Sequence, residues 1–354
     1  MDVSVETFVG AHAGLHTLAI ATIPGVPETI LVAPDSFKGT LTAHEVAEAI
    51  ERGLARLDRA VDLCPVADGG EGTLDALLEA LDGERLTATV HDPLERPAEG
   101  GFGLVSGNKR GMIGIVETAA ASGLQLVDED ERDPMRASTR GTGELIATAI
   151  DAGARSIYLG VGGSATTDGG AGAIRAIEQS GGLRGTTLVV LCDVRTPFED
   201  AARVFGPQKG ADPGDVQRLT RRLHQLARGW ECDPRGIPMT GAAGGLAGGL
   251  WSQLDAELVS GAAFVLDVVN FDTRMRAARA VVTGEGKLDE QSLAGKLVSE
   301  IATRARQRGV PCHAIVGTRE LDSFGLRVLD LQAVLEASSV AEIEAAAGEL
   351  AALI

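Results

Sequence analysis

The chain has 354 residues, 44% of them hydrophobic, with 32 Lys and Arg against 50 Asp and Glu, for a formal charge of −18. That length fits two domains best, and that apolar share excludes wholesale disorder and makes disulfide staples unnecessary. The net charge repels phosphate backbones and no basic cluster interrupts it, so a nucleic-acid binder is not expected.

No Lys or Arg precedes Lys38, so neither a signal peptide nor a presequence is expected, and no apolar run reaches membrane-spanning length. Cys64, Cys192, Cys232 and Cys312 have no CxxC spacing, which suits reduced thiols in a cytoplasmic protein. Aromatic residues are only 3%, so Ala, Val and Leu must build the core, while the 46 Gly call for local explanations.

Residues 1–27 read as a poorly anchored N-terminal extension ending in Ile23-Pro-Gly-Val-Pro27. Thr29–Ala33 is a short apolar run suited to a buried parallel strand, and Thr42-Ala-His-Glu45 is a capping box for a helix carrying Val46, Ile50 and Leu54. Val61–Val66 and the helix marked by Leu74, Leu77 and Leu81 repeat the unit, which predicts a parallel sheet with helices outside. From Thr87 the pattern alternates, and Gly101–Ser106 and Met112–Val116 flank Gly107–Gly111 as a hairpin. Helices over Thr142–Ile150 and Ala173–Gln179 then alternate with strands over Ser156–Leu159 and Leu188–Leu191, and Asp212-Pro213 caps a further helix. Strands at Ala280–Val282 and His313–Val316 enclose a helix over Leu293–Arg308, and Val340–Leu353 reads as a surface helix. The expected fold is therefore α/β with two domains. Residues 28–82 and 275–354 are expected to form one α/β domain, and residues 83–274 an inserted one.

Glycine clusters follow several predicted strands: Pro34–Gly39, Ala67–Gly72, Gly160–Gly172 and Thr283–Gly286; a further cluster, Gly241–Gly249, opens a helix. At strand ends, glycine lets backbone N–H groups approach an anion. Asp68-Gly-Gly-Glu-Gly72 and Asp168-Gly-Gly-Ala-Gly172 share one frame, with an acid beside flexible donors that suits a phosphate held with Mg²⁺; the alternative is a pair of Asx-type turns capping helices. Lys38, Lys209 and Lys287 stand beside glycines, and Asp35, Asp193, Glu285 and Asp289 occupy comparable loops. Such a set resembles a phosphoryl-transfer site, in which positioning and charge neutralisation carry the catalysis.

Other chemistries lack their signatures. There is no P-loop, no G-x-S-x-G elbow and no zinc spacing among the six His. Gly160-Val-Gly-Gly-Ser-Ala165 matches a dinucleotide loop, but the next strand-end acid, Asp193, lies about 30 residues on, beyond the ~20 of a ribose-binding acid. A dinucleotide-dependent oxidoreductase of a small hydroxy acid stays the second reading, and a non-catalytic ligand-binding relative the third.

The ordered motifs include Ala33-Pro-Asp-Ser-Phe-Lys-Gly-Thr40, Ala67-Asp-Gly-Gly-Glu-Gly-Thr73 and Gly141-Thr-Gly-Glu-Leu-Ile146. Further along come Gly162-Gly-Ser-Ala-Thr-Thr-Asp-Gly-Gly170, Leu191-Cys-Asp-Val194, Phe205-Gly-Pro-Gln-Lys-Gly-Ala211, Gly241-Ala-Ala-Gly-Gly245 and Thr283-Gly-Glu-Gly-Lys-Leu-Asp289. Over Ile30–Val316 the chain resembles the bacterial glycerate kinase family, which phosphorylates D-glycerate with ATP. It departs at Thr167 and at Thr196-Pro197, where the family commonly shows Asn and Asn-Pro. The resemblance implies a Rossmann-like parallel-sheet domain built from both chain ends, with a second α/β domain inserted and a cleft between the two. It also implies Mg²⁺ as cofactor, ATP and D-glycerate as substrates and 2-phosphoglycerate as the favoured product.

Within that cleft Asp193 is the first choice for the base and Asp168 the second. Asp35, Ser36, Lys38 and Lys209 are expected to hold substrate, with Lys38 counted among the catalytic residues. Gly162, Gly163, Ser164, Thr166, Gly169, Gly170, Gly284 and Lys287 are expected to hold the nucleotide phosphates, and Asp68 and Glu285 the Mg²⁺. Oligomeric state is left open.

Overall fold

A computed structural model describes residues 29–57, 59–107 and 111–354. The N-terminal extension and the Asn108–Arg110 tip of the expected hairpin lie outside the described residues.

The chain begins with β1 (Thr29–Pro34) and β2 (Val61–Leu63), then builds β3 (Glu84–His91), β4 (Pro97–Val105), β5 (Met112–Glu117), β6 (Ala154–Gly160), β7 (Thr187–Leu191) and β8 (Glu257–Val259). It returns through β9 (Ala278–Leu288), β10 (Cys312–Arg319) and β11 (Val334–Glu336). Two sheets result. One, ordered β11-β10-β9-β1-β2, is parallel throughout and formed by both ends of the chain. The other runs β3 to β8 in sequence order, antiparallel from β3 to β5 and parallel from β5 to β8. The α/β class and the insertion of one unit within the other follow from this order.

Parallel strands covered on both faces need apolar side chains on both. In β1, Ile30 and Val32 pack under the helices Ala43–Leu54 and Val340–Leu350, while Leu31 and Ala33 face the opposite side. The helix 340–350 is therefore not the surface helix expected: Ile343, Ala346, Ala347 and Leu350 are buried. A Cβ on Gly53 would stand 2.3 Å from the Glu344 carbonyl, so that helix pair closes only over glycine.

The second face of the first sheet shares one core with the second sheet. Leu31, Val281, Leu297 and Ile301 join Leu74, Leu77, Val265, Ile115 and Leu191 in a single cluster. The helix Thr73–Leu81 belongs in part to the second sheet, because Leu74 and Leu78 lie where a Cβ on Gly103 of β4 would be. A separate core fills the outer side of the second sheet, with Leu145, Ile146, Ile174 and Leu250 against Val116, Ile157 and Val190.

Boundaries moved for local reasons. β9 runs eleven residues, well past the expected Ala280–Val282, because β10 continues beside it to Arg319. Thr283–Leu288 is thus strand rather than loop. β1 stops earlier, at the Pro34–Gly284 pair, and β9 projects past it. β8 and β11 have only three residues each, too short for the apolar pattern to mark them as strands.

Candidate functional site

In the first sheet the strand order reverses between β1 and β9, and such switch points open a crevice at the carboxyl ends of the strands. The carboxyl ends of β6, β7 and β8 lead into the same crevice through Gly160–Ser164, Cys192–Asp193 and Ser260. It divides into two compartments. The one beside β9, of about 380 Å³, takes Asp35, Ser36, Lys38, Asp68, Glu285, Lys287 and Lys296 in its wall. The one beside β7, of about 390 Å³, takes Lys38, Asp68, Gly162, Gly163, Ser164, Asp193, Lys209 and Lys296. Lys38, Asp68 and Lys296 belong to both.

Asp68 opens a turn in which its Oδ1 accepts from Gly70 N–H at 3.0 Å, while its Oδ2 lies 3.5 Å from Lys38 Nζ. That partner, with Asp35, holds the Lys38 ammonium firmly protonated against the opposing cost of burial. Asp35, 4% exposed at the end of β1, has its pKa raised well above the usual carboxylate range, by burial first and by Asp68 second. Glu285 is pushed up to about 7 chiefly by burial, although Ser292 donates to its Oε1 at 2.7 Å.

Across the cleft Asp193 is likewise raised to about 7, by burial and then by the charge of Asp68. Ser260 Oγ donates to one of its oxygens and Ala262 N–H to the other, both at 2.9 Å. Asp193 is thus fixed against the first turn of the helix Gly261–Val268 and has a pKa suited to exchanging a proton near neutrality.

Lys209 is 2% exposed and donates to Ser164 Oγ at 2.9 Å and to the Thr166 carbonyl at 2.6 Å. Burial lowers its pKa to about 7, with Asp168 working the other way. It braces the Gly162–Thr166 turn from behind as well as lining the cleft. The turn also leans on Gly244, where a Cβ would lie 2.0 Å from the Thr166 carbonyl.

Asp168 departs from expectation. It lines neither compartment. Its Oδ1 accepts from Gly170 N–H at 3.0 Å, and its Oδ2 from Thr139 N–H at 3.0 Å, Thr139 Oγ at 2.9 Å and Gly172 N–H at 3.0 Å. With its carboxylate occupied in this way, it ties together the starts of the helices Arg140–Asp151 and Ala171–Gln179. Thr166, Gly169, Gly170 and Gly284, expected on phosphate, also stand off the cleft. Gly169 and Gly170 are needed at φ +65° and +81° to enter the helix. Thr167 is fully buried and lies behind the turn. The dinucleotide-type run Gly160–Ala165 does not open a helix, since the next one starts at Ala171. Lys287 lines the cleft but pairs with Glu320 at 2.9 Å.

Two site residues escaped the sequence. Ser260 follows a strand too short to register as an apolar run. The apolar spacing predicts a helix from Leu293 that takes in Lys296, whereas the helix starts at Leu297 and Lys296 is its cap; the Gly295-Lys296 pair is the available signal, a lysine beside glycine as at Lys38.

The family model described as "Glycerate kinase family" matches residues 30–184 and 178–353. The chain belongs to the glycerate kinase family. It is 40% identical to a "Glycerate kinase" of Halalkalibacterium halodurans, over 82% of this chain and 85% of that one. It is 37% identical to a "Glycerate 2-kinase" of Escherichia coli, over 82% and 85% of the two chains. A solved structure described as "Crystal structure of putative glycerate kinase 2 from Salmonella typhimurium LT2" superposes with a TM-score of 0.76 at 34% identity, covering 92% of this chain and 98% of that one. The family resemblance and the reading as a kinase are borne out. No helix among the described residues is long and apolar enough to cross a membrane.

Proposed function

We propose that this protein transfers the γ-phosphoryl group of ATP to the 2-hydroxyl of D-glycerate, giving ADP and 2-phosphoglycerate. The carrying observation is the division of one cleft into two compartments joined at Lys38 and Asp68, with a proton-accepting carboxylate, Asp193, in one wall. Support for the 2-position comes from the name of the Escherichia coli relative.

In this reading Asp193 accepts the hydroxyl proton as the substrate oxygen bonds to phosphorus and the bond to the ADP oxygen breaks. Lys38 binds the glycerate carboxylate or a transferring phosphoryl oxygen, with Asp35 and Ser36 beside it. Gly163 and Ser164 offer N–H and O–H donors to phosphate, the Gly162 N–H being taken by the Gly69 carbonyl at 3.2 Å, and Lys209 positions that turn. Asp168 is a positioning residue behind it rather than a base.

Mg²⁺ suits the donor set. Asp35, Asp68 and Glu285 crowd one compartment, and each of Asp35 and Glu285 is pushed up in part by Asp68, a repulsion that a cation relieves. Among the described residues no three His, Cys, Asp or Glu form a ready cage, but Mg²⁺ needs only one or two carboxylates beside phosphate and water. Asp68 and Glu285 would hold it, where it would neutralise phosphate charge. A cytoplasmic setting accords with free, buried thiols at Cys64, Cys192 and Cys312.

A coupled assay of ADP release on mixing the protein with ATP, Mg²⁺ and D-glycerate tests the reading, with NMR of the product. Glycerate-dependent ADP and a 2-phosphorylated product are expected. ADP release indifferent to glycerate, or reduction of NAD(P)⁺ by hydroxy acids instead, contradicts it.

A further inference from the structure

Four lysines line the cleft, and three are already engaged. Lys38 faces Asp68 at 3.5 Å, Lys209 donates to Ser164 and Thr166, and Lys287 lies 2.9 Å from Glu320 and 3.9 Å from Asp289. Among the described residues Lys296 has no carboxylate within ion-pair distance, although the Glu285 carboxylate is near enough to feel its charge.

Helix stability does not account for this residue. Lys296 sits at the cap of the twelve-residue helix Leu297–Arg308, its side chain makes no capping bond, and a positive charge there opposes the helix dipole. A lysine held at an unfavourable terminus, without a partner and facing a cleft, is placed for a ligand anion. Its location narrows which one. Lys296 is one of the three residues common to both compartments, so it stands at the junction that a transferred group must cross.

We propose that Lys296 is a catalytic residue whose ammonium binds the γ-phosphoryl oxygens of the nucleotide as that group passes from one compartment to the other. This rests on the kinase reading above. Charge at the equatorial phosphoryl oxygens is stabilised during transfer by such cations, and their loss costs turnover far more than acceptor binding. The group transferred leaves ADP as the β,γ-bridging bond breaks and joins the acceptor oxygen; Lys296 exchanges no proton in the step.

The test is Lys296→Met in the full chain, with Lys296→Arg as the charge-retaining control. Calorimetric binding of ATP and of ADP separates this assignment from the identity of the acceptor. K296M is expected to weaken ATP by about tenfold or more while leaving ADP within about threefold, because only ATP carries the γ-phosphoryl group. In the coupled assay its kcat is expected to fall by about 10²–10³-fold, with KM for D-glycerate within a few-fold and partial rescue by K296R. Equal losses for ATP and ADP, no loss for either, or a glycerate KM that rises tenfold with kcat kept would overturn the assignment. If the wild-type protein fails to make ADP with glycerate, the acceptor reading fails, and the ATP–ADP contrast still decides Lys296.

Discussion

The turns at Asp68 and Asp168 have the same D-G-G-x-G frame and opposite uses. In both, Oδ1 accepts from the N–H two residues on at 3.0 Å, and left-handed glycines lead into a nine-residue helix. They part at the second oxygen. In Asp68 it faces the cleft and the Lys38 ammonium; in Asp168 it is enclosed by Thr139 and Gly172 donors. A motif thus encodes a turn, and what stands across the turn decides whether its acid is chemical or structural.

The largest effect separating the two is expected from Asp68→Asn. Asn keeps the Gly70 bond but removes the charge facing Lys38, so kcat should fall by about 10³-fold or more while the denaturation midpoint hardly moves. The same change at Asp168 should do the reverse. Both Asp168 oxygens accept from backbone N–H groups, so whichever way the amide turns its NH₂ confronts at least one donor, costing about 2–4 kcal/mol of stability by urea unfolding, with residual turnover reduced less than tenfold. Matching phenotypes for D68N and D168N would dissolve the distinction.

Glu117 sharpens it from a third position. Its Oε1 accepts from Leu74 N–H at 2.8 Å, capping the helix that follows the Asp68 turn, and burial raises its pKa to about 7. The folded form therefore keeps a proton that the unfolded chain loses near the ordinary 4.5. Stability from this group is full below that value and lost as pH rises through about 7, by at most about 3 kcal/mol. Glu117→Gln preserves the acceptor and should raise the melting temperature at pH 8 by about 2–4 °C, with no gain near pH 4. A lower midpoint at pH 8 would mean that the ionised carboxylate is the better cap.

Much of this was legible in the chain. Apolar runs at Thr29–Ala33, Ser156–Leu159 and Leu188–Leu191 became buried parallel strands, and the glycines after Leu159 mark the cleft. The capping box at Thr42 formed as its spacing predicts, and Asp212 caps its helix as expected. What escaped depended on distant partners. Thr139 stands far from Asp168 in sequence, so the enclosure of that carboxylate has no local trace. The helix 340–350 looks like a surface element until it meets Gly53 and its neighbours from the other end of the chain. Ser260 and Lys296 lie at element termini, where periodicity is weakest.

In the proposed mechanism Asp193, fixed by Ser260 and Ala262, accepts the substrate proton in the cleft shared by Lys38 and Asp68. Rapid-quench measurement of ADP formation by Asp193→Asn tests it most directly. The expected result is a fall of at least about 10²-fold with D-glycerate binding retained, and loss of the wild-type rise in rate through pH of about 7. Near wild-type turnover with an unchanged pH profile would contradict it.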